Sequence, residues 1–183
     1  MKVAIDIGHM GKGSRQTDRG AEHNGYREAD LVLEYATIAR KHLEAYGHTT
    51  FLLAHENYVK RHAFCNDVNV DVHVQCHLNS PDGRYALMLH SNEAGDKCIA
   101  LTEMMSHQFK RWLGSNISKV DVLPIKGDDK RYVCLNPGSP SLILEPLFLK
   151  NDNHLHFMLH KEGLVMIGMA IAEAINEWSQ TNG

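Results

Sequence analysis

Several features are missing from this chain. No apolar run reaches the roughly 20 residues that a membrane-spanning helix needs. The N-terminus passes from Met1 and Lys2 straight into a strand pattern, without the apolar core and cleavage site of a secretory leader, so synthesis in the cytoplasm is expected. The four cysteines, Cys65, Cys76, Cys98 and Cys134, form no CxxC pair, which predicts reduced thiols instead of a disulfide frame or zinc knuckle. Charge of one sign is also lacking. With 19 basic against 22 acidic residues, interspersed to a net −3, nothing invites nucleic acid or stable association with an anionic membrane. No internal repeat, low-complexity tract or linker interrupts the sequence. The 183 residues are therefore read as a single domain, 1–183, with no separate second domain and a monomer as the default state.

Alternating short apolar runs and amphipathic segments fill that length. Ile5–Ile7 reads as a buried strand, closed by Gly8 and His9, and a loop holding Gly11, Gly13, Gly20 and Gly25 follows. Glu28–Tyr46 carries Leu31, Tyr35, Ile38 and Leu43 at helical spacing, with Gly47 as the stop. Thr49–Ala54 predicts a buried strand, and Glu56–Asn66 a short helix. Val70–His77 alternates, with Val70, Val72, Val74 and Cys76 on one face and Asp71, His73, Gln75 and His77 on the other.

Arg84–His90 is a further strand. Asn92–Leu113 is a long helix with Ile99, Leu101, Met105, Phe109 and Trp112 on its apolar face. A short strand is expected near Val120–Ile125, then Val133–Leu135 and Ser141–Leu144 joined by the turn sequence NPGSP. Asn151–Leu159 holds one or two helical turns, and Glu162–Trp178 a terminal helix. Met104, Met105, Met166 and Met169 stand at helical spacing and read as core. The order predicts an α/β fold in three layers, a mostly parallel mixed sheet of about six strands with helices on both faces.

The 13 histidines single out no site by number alone, but the positions of two of them do. His9, His77 and Glu145 each follow an apolar strand, and Glu28 opens the first helix. If the strands are parallel neighbours, all four meet at one sheet edge, where open α/β sheets place their sites. Two imidazoles and a carboxylate around an open position suit a catalytic zinc, and a second glutamate beside them suits a general base.

The blocks IDIGH at Ile5–His9, NGYREADL at Asn24–Leu31, DVHVQCHLNS at Asp71–Ser80 and LILEPLFLKND at Leu142–Asp152 extend across nearly the whole chain. In content and order they resemble the zinc-dependent N-acetylmuramoyl-L-alanine amidases of type 3, which cut peptidoglycan between glycan and stem peptide. That resemblance implies His9, Glu28 and His77 as ligands of Zn2+ and Glu145 as the catalytic carboxylate. Glu22 and His23 compete with Glu28, which the NG turn and the following helix favour. His73 competes with His77 but lies deeper, as a packed or partnered histidine, and Cys76 points into the core. Asn79 is expected to orient the His77 loop. Arg61 and Asn66 also match family positions, and a buried salt bridge or helix-end hydrogen bond is the preferred reading. His154, His156 and His160 are taken as a surface cluster.

Without room for a plugging helical insertion, an open site is expected, of the kind found in a phage endolysin that acts on the cell wall after release. Two alternatives stand beside it. Gln75, Cys76 and Leu78 around His77, and Pro146 and Leu147 after Glu145, depart from the family's usual residues. They leave open a peptidoglycan-binding module with a weakened site, or a zinc peptidase acting on another cell-wall amide.

Overall fold

The computed structural model describes residues 1–10, 19–54, 58–80, 82–126, 139–160 and 162–182. Six strands form one sheet: β1 (Lys2–Ile7), β4 (Thr49–Leu53), β5 (Val72–Cys76), β6 (Ala86–Ser91), β7 (Val120–Ile125) and β8 (Ser141–Glu145), in the order β4-β1-β5-β8-β6-β7. The first four in that order are parallel, while β6 runs antiparallel to β8 and carries β7 parallel to itself. The mixed, mostly parallel sheet expected from the sequence is thus present. A separate two-residue hairpin, β2 (Glu22–His23) and β3 (Tyr26–Arg27), turns through Asn24 and Gly25, both at positive φ (49° and 79°), as an Asn-Gly hairpin turn requires.

Period-two alternation sorts the strand residues between two unlike faces. Val3, Ile5 and Ile7 of β1, Val72, Val74 and Cys76 of β5, and Leu142 and Leu144 of β8 are buried in one large core with α1 (Glu28–Ala45), α3 (Asp96–Leu113) and α5 (Glu162–Asn182). These helices earn that place by their stripes, such as Leu31, Val32, Tyr35, Ala39 and Leu43 on α1. The intervening residues face α2 (Tyr58–Asp67), where Ala4 packs with Cys65 and Val70, and Asp6 meets Arg61. The last helix before α5, α4 (Asp152–Leu159), starts from Asn151, whose side-chain oxygen accepts the His154 N–H at 3.1 Å.

Some expectations shift. β4 is an edge strand and only partly buried, because β1 is its one strand neighbour. The helix expected from Asn92 begins at Asp96, after a turn in which the Ala94 N–H donates to the Ser91 carbonyl, and Ile99 on it is 38% exposed. Of the four methionines, Met105 is fully buried, while Met104 and Met166 are partly so. The strand expected at Val133–Leu135 and most of the NPGSP turn lie outside the described residues. Among the described residues, no single helix is long and apolar enough to cross a membrane.

Candidate metal centre and catalytic carboxylate

β1, β5 and β8 lie side by side and parallel, so their carboxyl ends open onto one edge. At the end of β1 the Gly8 N–H donates to the Cys76 carbonyl at 2.8 Å, prolonging the ladder by one residue. A Cβ at Gly8 would lie 2.5 Å from the His77 ring and 2.7 Å from that carbonyl, so only glycine lets the ring rest there. His9 then takes φ 61°, a left-handed conformation, and its ring returns to the edge.

Three side chains converge. His77 Nδ1 is 3.1 Å from Glu28 Oε1, and His9 Nε2 is 3.5 Å from Glu28 Oε2. The two imidazoles stand edge to face with centroids 5.1 Å apart, and one donor atom from each of the three residues lies within 4.8 Å of the others. Donors sharing a tetrahedral zinc at bonds of about 2.0–2.1 Å stand roughly 3.4 Å apart. The separations from Glu28 bracket that value, and two nitrogens with one oxygen are an accepted zinc donor set, so these residues fit the ion.

Glu28 is the hub. It is 3% exposed, yet both its oxygens are occupied by backbone donors: Oε2 accepts the Ala21 N–H and Oε1 the Leu78 N–H, each at 3.0 Å. Burial pushes its pKa up. The His77 hydrogen bond, the neighbouring imidazoles and the Ala21 N–H outweigh this and hold the carboxyl below the usual range, in the anionic form that a metal ligand needs. Residues 19–21 run along the start of α1, where the carbonyls of Ala21 and Arg19 accept the N–H groups of Glu28 and Ala29. Gly20 lies in that run at φ 77°, and a Cβ on it would come 2.5 Å from Glu28 Oε2 and 2.8 Å from the His9 ring. Gly20 and Gly8 therefore clear the space in which the donors meet.

Glu145 is the last residue of β8. The register Cys76↔Leu144 places it next to His77, whose N–H donates to the Leu144 carbonyl at 2.9 Å. Burial raises the Glu145 pKa, and the Glu28 charge adds to this, while His77 works against it. A carboxyl raised in this way, beside the His9–Glu28–His77 cluster, is suited to exchange a proton with water.

The rival residues are engaged elsewhere. Glu22 sits 3.7 Å from Arg27 across the hairpin, and His23 Nε2 is 2.8 Å from Asp152 at the start of α4. His73 is fully buried on the α2 face, 3.7 Å from Asp6 and ring to ring with His62. Cys76 is buried in the core, and burial pushes its thiol pKa far up. Arg61 makes the expected buried salt bridge with Asp6 and also donates to the carbonyls of Ile7, at 2.8 Å, and Met10, so it clasps the turn that carries His9. The Asn66 carbonyl accepts the Asn69 N–H at the end of α2. Asn79 is bonded through its backbone to the segment that follows Glu145, its N–H donating to Leu147 and its carbonyl accepting from Leu149, each at 2.9 Å.

Two residues take parts that the sequence reading did not give them. His154 is no surface residue. It is 2% exposed and bonded through both ring nitrogens, and only His156 and His160 pair on the outside, their Nε2 atoms 2.8 Å apart. Tyr35, read only as core, donates its hydroxyl to the His77 carbonyl at 2.9 Å. It lies two helical turns beyond Glu28 on the same face of α1, and that seven-residue spacing is the signal that could have revealed it.

Fold and site together define a class: an α/β domain presenting two histidines and a carboxylate that fit a metal ion at the sheet's carboxyl edge, with a second carboxylate alongside. The sequence profile of the N-acetylmuramoyl-L-alanine amidase family matches residues 3–177, and the chain belongs to that family. Among solved structures, it is similar to the N-acetylmuramoyl-L-alanine amidase AmiC2 of Nostoc punctiforme, at 21% identity and TM-score 0.80 over 98% of this chain and 97% of that one. It is also similar to the CwlD amidase of Clostridioides difficile, solved with the GerS lipoprotein, at 18% identity and TM-score 0.84 over 99% of both chains. The catalytic domain of the CD27L endolysin follows at 17% identity and TM-score 0.72 over 96% of each. At these identities the likeness speaks for the fold. No protein with a curated description matches the chain.

Proposed function

We propose that this chain hydrolyses the amide bond between N-acetylmuramic acid and L-alanine in peptidoglycan, using a divalent metal held by His9, Glu28 and His77, with Glu145 as the proton-transferring carboxylate. The observation that carries the reading is the meeting of His9, Glu28 and His77 donor atoms within 4.8 Å of one another, with Glu145 next to His77 in the β5–β8 register. Zinc is the metal of choice, and other divalent transition ions suit the same donors.

When bound, zinc supplies Lewis acidity to an amide carbonyl and to the attacking water. The chain's own residues do the rest. Glu28, anionic and fixed by the Ala21 and Leu78 N–H groups, offers a carboxylate that needs no reorganisation. Tyr35 anchors the His77 backbone from within the core, so the ring keeps its aim. Glu145, with its raised pKa, accepts a proton from the attacking water and returns it to the nitrogen of the departing L-alanine. The carbon–nitrogen bond then breaks to give a free amine and a carboxylic acid on the glycan side. Wall lysis is the biological setting we propose, with the fold likeness to an endolysin catalytic domain in its support.

The test is a count of newly exposed amino termini, identified by residue, after purified peptidoglycan is incubated with the native protein, the chelated protein and a Glu145→Gln variant. New alanine termini from the native protein alone are expected, without new reducing ends. Glu145→Gln should lose roughly 100- to 10,000-fold in rate, the usual worth of a general base, while retaining zinc. Termini other than alanine would point to a peptidase, and no release from walls of several chemotypes would sink the enzymatic reading.

A further inference from the structure

The segment after Glu145 behaves as a continuation of β8. Asn79 forms a parallel bridge with Phe148, bonding through its backbone to Leu147 and Leu149 on either side. In such a bridge the N–H and carbonyl of Phe148 itself point away from Asn79, toward the side that β6 occupies lower in the sheet. There β6 pairs with β8 through Leu87↔Glu145, Met88↔Leu144 and Leu89↔Ile143. At Phe148 a side chain stands where a strand would be: the Phe148 N–H donates to His154 Nδ1 at 3.1 Å. The Phe148 carbonyl accepts the Asn151 N–H at 3.2 Å.

Because His154 Nδ1 accepts from an N–H, the ring proton must sit on Nε2, which donates to the Asn116 carbonyl at 3.0 Å in the turn after α3. The imidazole is therefore neutral, in one tautomer, and joins three parts of the chain. Asn151 secures the other side of the loop, donating its side-chain amide to Asp82 at 3.0 Å and to the Gly83 carbonyl at 3.1 Å. We infer that His154 is a positioning residue: it replaces β6 as the ladder partner of Phe148 and so holds the continuation of β8, zipped to the Asn79 loop, that fixes Glu145 beside His77. Its kinetic consequence rests on the amidase reading above.

Protonation would place a donor on Nδ1 facing the Phe148 donor and break the bond. Burial is the main influence against it, Arg84 adds to this, and Asp82 and the Asn116 carbonyl act the other way.

The experiment compares the full chain with His154→Gln, whose amide can accept from Phe148 and donate to Asn116 but cannot be protonated, and with His154→Leu, which does neither. Turnover of peptidoglycan fragments, zinc content and the amide-exchange protection of Phe148 are measured on each. His154→Leu should lose Phe148 protection and drop kcat by roughly tenfold or more with KM within about twofold, since misplacing a catalytic group costs rate before binding. Zinc content should stay unchanged, and His154→Gln should stay within about threefold of the native kcat. On acidification the native protein should lose Phe148 protection while His154→Gln keeps it. A folded His154→Leu with native kcat, or a His154→Gln that shares the native protein's acid loss of protection, would overturn the proposal. If His154→Leu does not fold, the comparison of native protein with His154→Gln decides alone. Absence of turnover in the native protein would reject the amidase reading, and Phe148 protection would still decide the role of His154.

Discussion

Asp6 and Glu28 are both 3% exposed, and each has imidazole nearby, yet the chain treats the two carboxylates differently. Asp6 lies inside the α2 face of the sheet and is met by the Arg61 guanidinium, a charge the chain supplies itself. Glu28 lies at the carboxyl edge with two backbone N–H groups and two imidazoles, and among the described residues no lysine or arginine pairs with it. A buried carboxylate with a guanidinium is a closed structural unit. One met by backbone N–H groups and imidazoles at an open edge, with no guanidinium or ammonium partner among the described residues, is a setting that suits a divalent cation. The kind of partner, more than burial, distinguishes the two carboxylates.

Exchanging the roles of the two sites should separate their effects. Removing a donor with His77→Ala should lower zinc affinity beyond the roughly 10- to 100-fold that loss of an outer-shell partner costs, with a smaller change in unfolding midpoint. Arg61→Ala should do the reverse. It leaves Asp6 buried without its partner and should cost about 3–5 kcal/mol in urea denaturation, with zinc affinity reduced only as far as the His9 turn loosens. Calorimetric zinc titration beside denaturation of both variants checks the pair, and similar profiles for the two would erase the distinction.

A finer cut comes from Gly20→Ala, which adds one carbon 2.5 Å from Glu28 Oε2 at a backbone angle that favours glycine. It should weaken zinc binding by roughly 10- to 100-fold through displacement of the carboxylate, as loss of an outer-shell contact does.

The smallest effect is in pH. Burial pushes the Asp6 pKa up, but the neighbouring His73 imidazole and the Arg61 guanidinium outweigh it and bring the value below the ordinary 3.8. A carboxylate depressed in the folded state adds stability that is full above its unfolded value and is lost as pH falls through the folded one. Native stability should therefore decline more steeply below about pH 4 than that of Asp6→Asn, measured by denaturant unfolding at stepped pH.

Much of this was legible because each feature sits where periodicity changes. His9 follows β1 after Gly8, His77 directly follows β5, Glu145 closes β8, and Glu28 opens α1 after an Asn-Gly turn, so position along the chain, together with the four family-like blocks, singled them out. Their convergence needed only parallel strands in adjacent places. Strand direction is less visible, since a run such as Ala86–Ser91 reads the same whether it joins β8 parallel or antiparallel, and it joins antiparallel. His154 was misread because both its partners are backbone groups, Phe148 N–H and Asn116 carbonyl, which side-chain patterns do not display. Its place beside Leu155 and Met158 on the buried side of α4 was the available clue. Ile99 failed the opposite way: an apolar residue at the rim of a helical stripe remains 38% exposed.

The position of β8 bears on when the site can come into being. It is the last strand in sequence, yet it is inserted between β5 and β6, in the interior of the sheet. A growing chain can lay β1 against β4 and β5 early, and at that stage His9, Glu28 and His77 are already available to one another. Glu145 joins them only when residues 141–145 slot into a gap flanked by strands made long before. Such late, non-local pairing is the slow kind. The meeting of His9, Glu28 and His77 and the arrival of Glu145 beside them are thus separable events in folding, with the second waiting on the closing of the sheet.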